Sequence, residues 1–377
     1  MRVLVSGDWH LCVSNYGVLD ENGRNSRLVD VEKALQRMVD VAEEQQVALL
    51  ICSGDIFHTN RPTIEEQLVF WRLLQRLESC NFNSRLIIGN HDYNSKLGAS
   101  HALKLFMDIT KTFQKVVIYD ETSWELFGDY GDIKPLLVCF YPYHATPPDF
   151  EQAKQFGETQ GTALVCHSHL EGAVVGAEPF EIKDDKATKF SDLPVRFVWA
   201  GHFHKPQILS QSPLAFYPGS IQCVDFSERF DVKGVVIVDT VTAEYECVGI
   251  NVRKFVQIDV DATEERWRDT DGYPCIHPDC LFEVGEAIVK VNVKMTERQA
   301  EGFDESVMRE LLTKHHVHSI AGINVDIIRE EIKRNPTIKL DSDLSNNFLR
   351  FIEDRKYGDK TDVVKETGLK IIKQCTS

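Results

Sequence analysis

The sequence has little of what a membrane or secreted protein needs. No apolar run approaches the ~18 residues of a transmembrane helix, and the short run at residues 3–6 meets Asp8 too early for a secretory signal. The ten cysteines are scattered through apparent strands instead of being spaced as a disulfide framework, which is typical of a reducing compartment. We therefore expect a cytoplasmic protein without disulfides and without a membrane partner.

Positive charge is also scarce. The chain has 42 Lys and Arg residues against 58 Asp and Glu residues, which gives a formal net charge of −16. Proteins bind nucleic acid backbones mainly by neutralising phosphates with Lys and Arg, so this balance argues against a protein that coats nucleic acid on its own. Bound metal ions or a partner protein can supply positive charge locally, and phosphoester chemistry therefore stays open.

The first 247 residues alternate short β-branched runs with amphipathic helical patterns, which is typical of a layered α/β domain. Predicted strands cover residues 3–6, 47–52, 85–88, 115–119, 136–141, 163–166, 197–200, 215–217 and 234–238. Apolar residues at helical spacing predict helices around residues 28–42 and 64–74. Because 377 residues exceed one comfortable core, we expect smaller additions after this domain.

The remainder of the chain has two further patterns. A strand at residues 255–260 is followed by a strand–helix–strand pattern at 287–294, 303–315 and 318–328, which predicts a small α+β domain. Near the end, Leu344, Phe348 and Ile352 lie on one helical stripe, and a second helix follows Gly358. The sequence therefore divides into three parts, namely residues 1–247, 248–335 and 340–377.

Five short segments place potential metal ligands directly after an apolar, strand-like run. They are Gly-Asp-Trp-His at 7–10, Gly-Asp-Ile-Phe-His at 54–58, Gly-Asn-His-Asp at 89–92, Cys-His-Ser-His at 166–169 and Gly-His-Phe-His at 201–204. A single carboxylate or histidine beside a glycine is more often an ordinary turn residue. Five such segments in order predict a shared site, because loops at strand ends project side chains into one crevice.

The mixture of side chains indicates the kind of metal site. Carboxylate and amide oxygens together with imidazoles suit Mn²⁺, Fe²⁺ or Zn²⁺, whereas a thiolate-rich set would indicate structural zinc. Two catalytic ions about 3.5–4 Å apart need a shared ligand, and a carboxylate is the side chain best able to bridge them. Asp55 is the candidate bridge. In the fourth segment His167 directly follows the strand and is favoured as a ligand, with His169 as the alternative.

Taken together, these segments resemble the calcineurin-like metallophosphoesterases. The runs Gly201-His202-Phe203-His204-Lys205-Pro206, Tyr217-Pro218-Gly219-Ser220 and Asp225-Phe226 are similar to one branch of that family. That branch contains the SbcD-type nucleases of double-strand-break repair and their phage recombination-endonuclease counterparts. The resemblance covers the first two-thirds of the chain. It implies a four-layer α/β fold, in which a β-sandwich is flanked by helices, with a small α+β capping domain and a helical C-terminal tail.

The resemblance also implies roles for individual residues. One metal ion is held by Asp8, His10, Asp55 and His204, and the other by Asp55, Asn90, His167 and His202. His91 contacts the scissile phosphate and assists the leaving oxygen, while His58 acts as a helper histidine, and neither is a metal ligand. Trp9 departs from the family pattern, because it fills a position where a smaller residue is common.

The implied activity is that of a two-metal DNA nuclease subunit of a recombination or repair complex. It combines a 3'–5' exonuclease on duplex ends with an endonuclease on single strands. Two divalent ions are expected, Mn²⁺ first, with Mg²⁺ or Fe²⁺ as alternatives. The implied partners are DNA, an SMC-like ABC-type ATPase that binds the terminal helices, and a second copy of the chain. The implied setting is a bacterial cell or a phage-infected host.

Two other functions compete with this hypothesis. The acidic charge favours a metallophosphatase or small-molecule phosphodiesterase, which would act on small phosphoesters without requiring a duplex. A non-catalytic scaffold for the ATPase is the second alternative, and the complete set of seven ligands argues against it, since a degenerate scaffold is expected to lose some of them.

Overall fold

The structure is a computed structural model that describes residues 1–11, 14–94, 100–128, 134–156, 161–175, 180–181, 187–329, 343–354 and 360–376. The chain forms two compact units, Met1–Asp326 and Ile327–Ser377. The predicted division into three parts stays a prediction, and its boundaries at residues 335 and 340 lie outside the described residues. Every described helix is either too short or too polar to traverse a bilayer.

The elements alternate along most of the first unit. The strands are Arg2–Ser6 (β1), Leu49–Cys52 (β2), Asn83–Ile87 (β3), Tyr93–Asn94 (β4), Ser100–His101 (β5), Val116–Tyr119 (β6), Ser123–Phe127 (β7), Leu136–Tyr141 (β8), Gly161–His167 (β9), Val174–Val175 (β10), Phe180–Glu181 (β11), Phe197–Gly201 (β12), Gln207–Gln211 (β13), Leu214–Tyr217 (β14), Gly234–Asp239 (β15), Tyr245–Gly249 (β16), Phe255–Asp261 (β17), Ile288–Thr296 (β18) and Ser319–Ile328 (β19). The α-helices are Ser26–Glu44 (α1), Ile64–Ser79 (α2), Lys104–Thr110 (α3), Glu151–Phe156 (α4), Glu297–Ala300 (α5), Glu305–Lys314 (α6), Leu344–Asp354 (α7) and Thr361–Thr376 (α8).

Two six-stranded sheets form the centre of the first unit. One has the order β16-β15-β1-β2-β3-β6 and the other β13-β14-β12-β9-β8-β7. The inner strands of both sheets pair in parallel. In the first sheet, β15 is antiparallel to both β1 and β16. In the second sheet, β13 is antiparallel to β14, and β7 is antiparallel to β8. Val5 and Ile51 of the first sheet share one buried apolar cluster with Val165 and Trp199 of the second, so the sheets pack face to face.

Helices cover the outer face of the first sheet. Leu35 of α1 and Phe70 of α2 lie in the same buried cluster as Leu50 of β2. The start of α2 is fixed by a capping box, in which the side chains of Thr63 and Glu66 bond each other's backbone N–H groups. The α/β arrangement of sheets flanked by helices, which the sequence predicted, is thereby confirmed.

A smaller three-stranded sheet follows, in the order β17-β18-β19, with β17 and β18 parallel. Met308 and Leu312 of α6 are buried in one cluster with Val289 and Val291 of β18. This sheet therefore has its own apolar core, in the α+β pattern that the sequence predicted. In the second unit, α7 and α8 pack closely where Gly368 meets the ring of Phe348, because a Cβ atom at Gly368 would collide with that ring.

We expect the cluster between α1, α2 and the first sheet to dominate the stability of the first unit. Leu50 is fully buried in it, whereas Leu105 of α3 is 56% exposed. Leu50→Ala should lower the free energy of unfolding by about 2–5 kcal/mol, and the control Leu105→Ala should lower it by less than about 0.5 kcal/mol. Urea unfolding midpoints measure the difference, and equal midpoints for the two variants would contradict this account of the core.

Candidate metal centre

The five ligand-bearing segments meet at one edge of the two sheets. Strands β1, β2 and β3 are parallel neighbours, as are β9 and β12 in the other sheet, and each leads directly into one of the segments. Backbone hydrogen bonds then tie the first two segments together. Asp8 N–H donates to the Gly54 carbonyl at 3.0 Å, and His10 N–H donates to the Asp55 carbonyl at 3.0 Å. The parallel topology therefore brings distant parts of the sequence to one place.

The backbone at this edge is bent unusually sharply. Positive φ angles occur at Asp8 (49°), His10 (46°), Asp55 (51°) and His202 (111°). Residues other than glycine rarely adopt such angles, and those that do are concentrated at functional sites, where the surrounding structure compensates the strain. All four are among the predicted metal ligands.

Asp8, His10 and His204 form the first group of converging donor atoms, which lie within 4.8 Å of one another. The Nε2 atoms of His10 and His204 are only 2.7 Å apart. Asp8 and His10 are fully buried, and burial raises the pKa of the Asp8 carboxyl to about 6. Two imidazoles and a carboxylate this close are a typical donor set for a divalent transition metal ion.

The second group is centred on the amide oxygen of Asn90. This Oδ1 atom lies 2.9 Å from His167 Nε2 and 3.0 Å from His202 Nδ1. The Nδ1–H of His167 donates to the Ser53 carbonyl at 2.8 Å, an arrangement that leaves Nε2 to face the other ligands. Burial, together with the neighbouring charge of His167, lowers the pKa of His202 to about 4, so its ring is neutral at physiological pH and able to bind a metal ion.

Asp55 lies between the two groups. Its Oδ2 atom is 3.4 Å from His167 Nε2 in the second group and 3.7 Å from His10 Nε2 in the first. The side chain is 1% exposed, and although burial raises the pKa of Asp55, the positive charge of His167 outweighs this effect and holds it below its ordinary value. Burial alone would lower the pKa of His167, but the negative charge of Asp55 and its hydrogen bond outweigh burial and raise this pKa to about 9.

These donor atoms fit a pair of divalent ions. His167 Nε2 faces Asn90 Oδ1 and Asp55 Oδ2, which are both acceptors, so a divalent cation among the three atoms would take the place of the Nε2 proton of the charged His167 ring. Buried carboxylates also need either a paired charge or a coordinated metal ion. Because one carboxylate faces both groups, the arrangement has the shared ligand that a two-metal site requires.

His91 and His58 lie beside this centre with parallel rings, whose centroids are 5.2 Å apart. The backbone N–H of His91 donates to Asp55 Oδ1 at 2.9 Å, and its Nδ1 lies 2.8 Å from the His58 carbonyl. His58 Nδ1 is 3.3 Å from His10 Nδ1, and the donor atoms of these three histidines lie within 4.8 Å of one another. Both residues predicted to assist the chemistry are therefore adjacent to the predicted ligands.

Glu228 supports His204, and sequence reasoning missed it. Its Oε1 atom lies 2.7 Å from His204 Nδ1, and its Oε2 atom lies 2.7 Å from the buried Lys233 Nζ. Although burial raises the pKa of Glu228, the bond to His204 and the charge of Lys233 lower it to about 2. The carboxylate therefore keeps its charge and fixes the orientation of the His204 ring. The nearby Asp225-Phe226 run was the signal that could have led to it.

Asp92 is a second supporting residue that the sequence did not assign. The buried carboxylate accepts hydrogen bonds from the backbone N–H groups of Ile56 (3.2 Å), Phe57 (2.8 Å) and Gly89 (2.9 Å). Burial and the negative charge of Asp55 raise the pKa of Asp92 to about 7. Asp92 therefore links the second ligand segment to the third, and its place directly after His91 was the available signal.

The structure also places the two residues on which the sequence was undecided. Among the described residues, the groups of converging donors include His167 and not His169. The ring of His169 instead makes an edge contact with Phe203, with centroids 5.1 Å apart.

Trp9, which departs from the family pattern, is fully buried, and its Nε1–H donates to Ser6 Oγ at 2.9 Å. The large ring therefore packs into the core without entering the group of ligands.

Replacing the carboxylate behind His204 should weaken metal binding. Glu228→Gln leaves His204 without its anionic partner, and the loss of such a supporting group typically lowers metal affinity about 10–100-fold. Titration calorimetry with Mn²⁺ measures this change, and circular dichroism verifies that the variant is folded. The control Glu246→Gln changes an exposed glutamate of β16 and should bind Mn²⁺ like the wild type. Unchanged affinity in Glu228→Gln would refute this supporting role.

Comparison with known proteins shows which family the chain belongs to. The family model described as calcineurin-like phosphoesterase matches residues 1–206. The SbcD component of nuclease SbcCD from Bacillus subtilis (strain 168) is 26% identical over 272 residues, which cover 65% of this chain and 67% of that protein. The SbcD component of nuclease SbcCD from Escherichia coli (strain K12) is 22% identical over 352 residues, covering 83% and 84%.

The DNA double-strand break repair protein Mre11 of Methanocaldococcus jannaschii is 23% identical over 265 residues, covering 67% of this chain and 68% of that protein. The family match covers the segments that carry all seven predicted ligands, and the His and Asp side chains at the sheet edge could hold divalent metal ions. The chain therefore belongs to the calcineurin-like phosphoesterase family, whose fold supports metal-dependent hydrolysis of phosphoesters.

Proposed function

We propose that the chain is a two-metal DNA nuclease, the nuclease subunit of a recombination or repair complex. The observation that carries this proposal is the position of Asp55, whose carboxylate lies 3.4 Å from a ligand of one group and 3.7 Å from a ligand of the other. The relatives named as a component of nuclease SbcCD and as DNA double-strand break repair protein Mre11 support DNA as the substrate. Phosphodiester cleavage is among the reactions that two-metal sites serve, because the ions stabilise both the attacking and the leaving oxygen.

In this proposal each predicted residue keeps its role. Asp8, His10, Asp55 and His204 bind one ion, and Asp55, Asn90, His167 and His202 bind the other. Mn²⁺ is the proposed physiological metal, since a site of mixed oxygen and imidazole ligands suits it. When bound, the two ions supply a water of lowered pKa as the nucleophile and stabilise charge on the phosphoryl oxygens.

His91 serves the leaving oxygen. Its backbone N–H is held by Asp55 Oδ1 and its Nδ1 by the His58 carbonyl, so Nε2 is the ring nitrogen that is left to face a substrate. With a proton on Nε2, His91 is positioned to donate that proton to the departing oxygen. His58 lies parallel to the His91 ring and restricts its orientation. The chain thus orients a general acid beside the metal centre. The proposed hydrolysis needs no covalent intermediate between the enzyme and the substrate.

The acidic charge of the chain bears on how DNA is held. With a net charge of −16, phosphate neutralisation by Lys and Arg alone is weak. We propose that the metal ions and an SMC-like ABC-type ATPase partner supply much of the missing positive charge. The amphipathic helices α7 and α8 are the proposed docking element for this partner. A second copy of the chain completes the proposed complex, with exonuclease action on duplex ends and endonuclease action on single strands.

Replacing His91 tests the catalytic proposal. His91→Gln should reduce the kcat for Mn²⁺-dependent degradation of end-labelled DNA about 10²–10⁴-fold, the contribution of a general acid. Bound Mn²⁺ should stay at the wild-type level, because His91 is not a ligand in the proposal. His315→Gln changes an exposed histidine at the end of α6 and should cut like the wild type. Equal kcat for His91→Gln and the wild type would contradict the assigned role.

The same assay distinguishes a second candidate, which the acidic charge favours. In Mn²⁺, a metallophosphatase would hydrolyse p-nitrophenyl phosphate and a small-molecule phosphodiesterase would hydrolyse bis(p-nitrophenyl) phosphate, but either would leave duplex and single-stranded DNA intact, alone and with the ATPase. That result would contradict the proposed nuclease function and would support an enzyme that acts on small phosphoesters. Degradation of DNA by the wild type, and its loss in His91→Gln, would support the nuclease.

A further inference from the structure

A sixth strand-end loop reaches the metal centre and belongs to none of the ligand segments. Strand β8 is the parallel neighbour of β9, which ends at His167, so the residues after Tyr141 lie at the same edge of the sheet. The loop is also tied to the other sheet, because Tyr143 N–H donates to the carbonyl of Ile88 at 3.1 Å. Ile88 comes two residues before the ligand Asn90. The position of Tyr143 and His144 beside the centre is therefore fixed from both sheets.

Three rings form a cluster at this point, which we call the aromatic wall and define as Tyr93, Tyr143 and His144. The ring centroids of Tyr143 and His144 are 4.1 Å apart, and those of Tyr93 and His144 are 4.8 Å apart. Tyr143 also makes an edge contact with the ligand His167 at 6.4 Å. The two tyrosines are half-buried, whereas His144 is exposed. The wall therefore extends from the metal centre to solvent, with an imidazole at its outer end.

The backbone at His144 is strained. Its φ angle is +62°, in the left-handed region that residues other than glycine rarely adopt. The same kind of strain occurs at four predicted metal ligands, and such strain is concentrated at binding and catalytic sites. A glycine at this position would relieve the strain but would remove the ring. His144 is distinguished from other exposed residues with a positive φ angle, such as His316 (56°), by the packing of its ring against Tyr93 and Tyr143.

The charge of the protein indicates what such a ring would bind. With a net charge of −16, the chain gains little affinity for a DNA backbone from long-range attraction. Stacking of bases on aromatic or histidine rings does not depend on net charge and tolerates any base sequence. Bases inside a duplex stack on one another, so the faces open to such stacking belong to unpaired bases and to the terminal pair of a duplex end.

We propose that His144, supported by Tyr93 and Tyr143, is a platform on which an unpaired nucleobase of the substrate stacks. The proposal rests on the proposed nuclease function and names its preferred substrate, namely a strand with unpaired bases next to the scissile phosphate. The ring path from His167 through Tyr143 to His144 has steps of 6.4 and 4.1 Å. A base stacked on His144 therefore belongs to a nucleotide near the phosphate at the metal centre.

The experiment compares two histidines that share an unusual backbone. His316, between α6 and β19, is also exposed and also has a positive φ angle, of 56°. His144→Gly and His316→Gly therefore both remove an exposed ring and both relieve strain, so that only the location differs. A further variant, His144→Asn, keeps a polar side chain that tolerates the left-handed region but has no ring to stack.

Two activities are measured for each full-length protein in Mn²⁺. One is cleavage of a single-stranded oligonucleotide, with KM and kcat determined separately, and the other is hydrolysis of bis(p-nitrophenyl) phosphate, which offers no nucleobase. We expect His144→Gly and His144→Asn to raise KM for the oligonucleotide about 10-fold, within the roughly 5–150-fold range that base stacking implies. The ratio of oligonucleotide to small-diester activity should fall by the same factor, and His316→Gly should leave both activities at the wild-type level.

The outcomes separate the inference from the function on which it rests. An unchanged KM in His144→Gly, with an active wild type, overturns the platform alone. A wild-type KM in His144→Asn overturns stacking in favour of hydrogen bonding, and an equal loss of both activities assigns the wall to the metal centre instead of the strand. A wild type that hydrolyses the small diester but does not cut DNA overturns the proposed function itself.

Discussion

The candidate site depends on one buried carboxylate placed between two groups of ligands. Asp55 Oδ2 faces His167 on one side and His10 on the other, while Oδ1 receives the backbone N–H of His91. The same side chain thus lies between both proposed metal positions and holds the backbone of His91, the proposed acid. Asp55 can do so because its own backbone turns sharply, with a φ angle of +51°. Any shift of this residue would disturb every function assigned to the centre.

The surrounding structure compensates the cost of this arrangement. Burying several charges in one place is unfavourable unless each charge is paired or hydrogen-bonded. Glu228 pairs with both His204 and the buried Lys233, and Asp92 accepts three backbone N–H groups from two segments. These supporting carboxylates orient His204 and link two of the segments that carry predicted ligands. Hydrogen bonds of this kind orient metal ligands and typically raise metal affinity.

The sequence predicted the central strands and the clustering of the ligand segments, because both follow from local patterns. Glycines are part of that signal: a Cβ atom at Gly89 would collide with Asp55, and one at Gly201 with the Ser53 carbonyl. The sequence did not predict the edge strands β7, β13 and β16, where much of the surface is exposed and the apolar alternation is weak. Glu228 and the aromatic wall were missed because their roles arise from contacts between distant segments.

The number of divalent ions bound to each chain tests the central claim most directly. The account predicts two Mn²⁺ ions per wild-type chain by calorimetric titration and by metal analysis after gel filtration. Asp55→Asn, which keeps the shape of the side chain but removes its charge, should retain at most one ion while staying folded. A wild type that binds a single ion, or an Asp55→Asn variant that binds two with unchanged affinity, would contradict a centre built around this shared carboxylate.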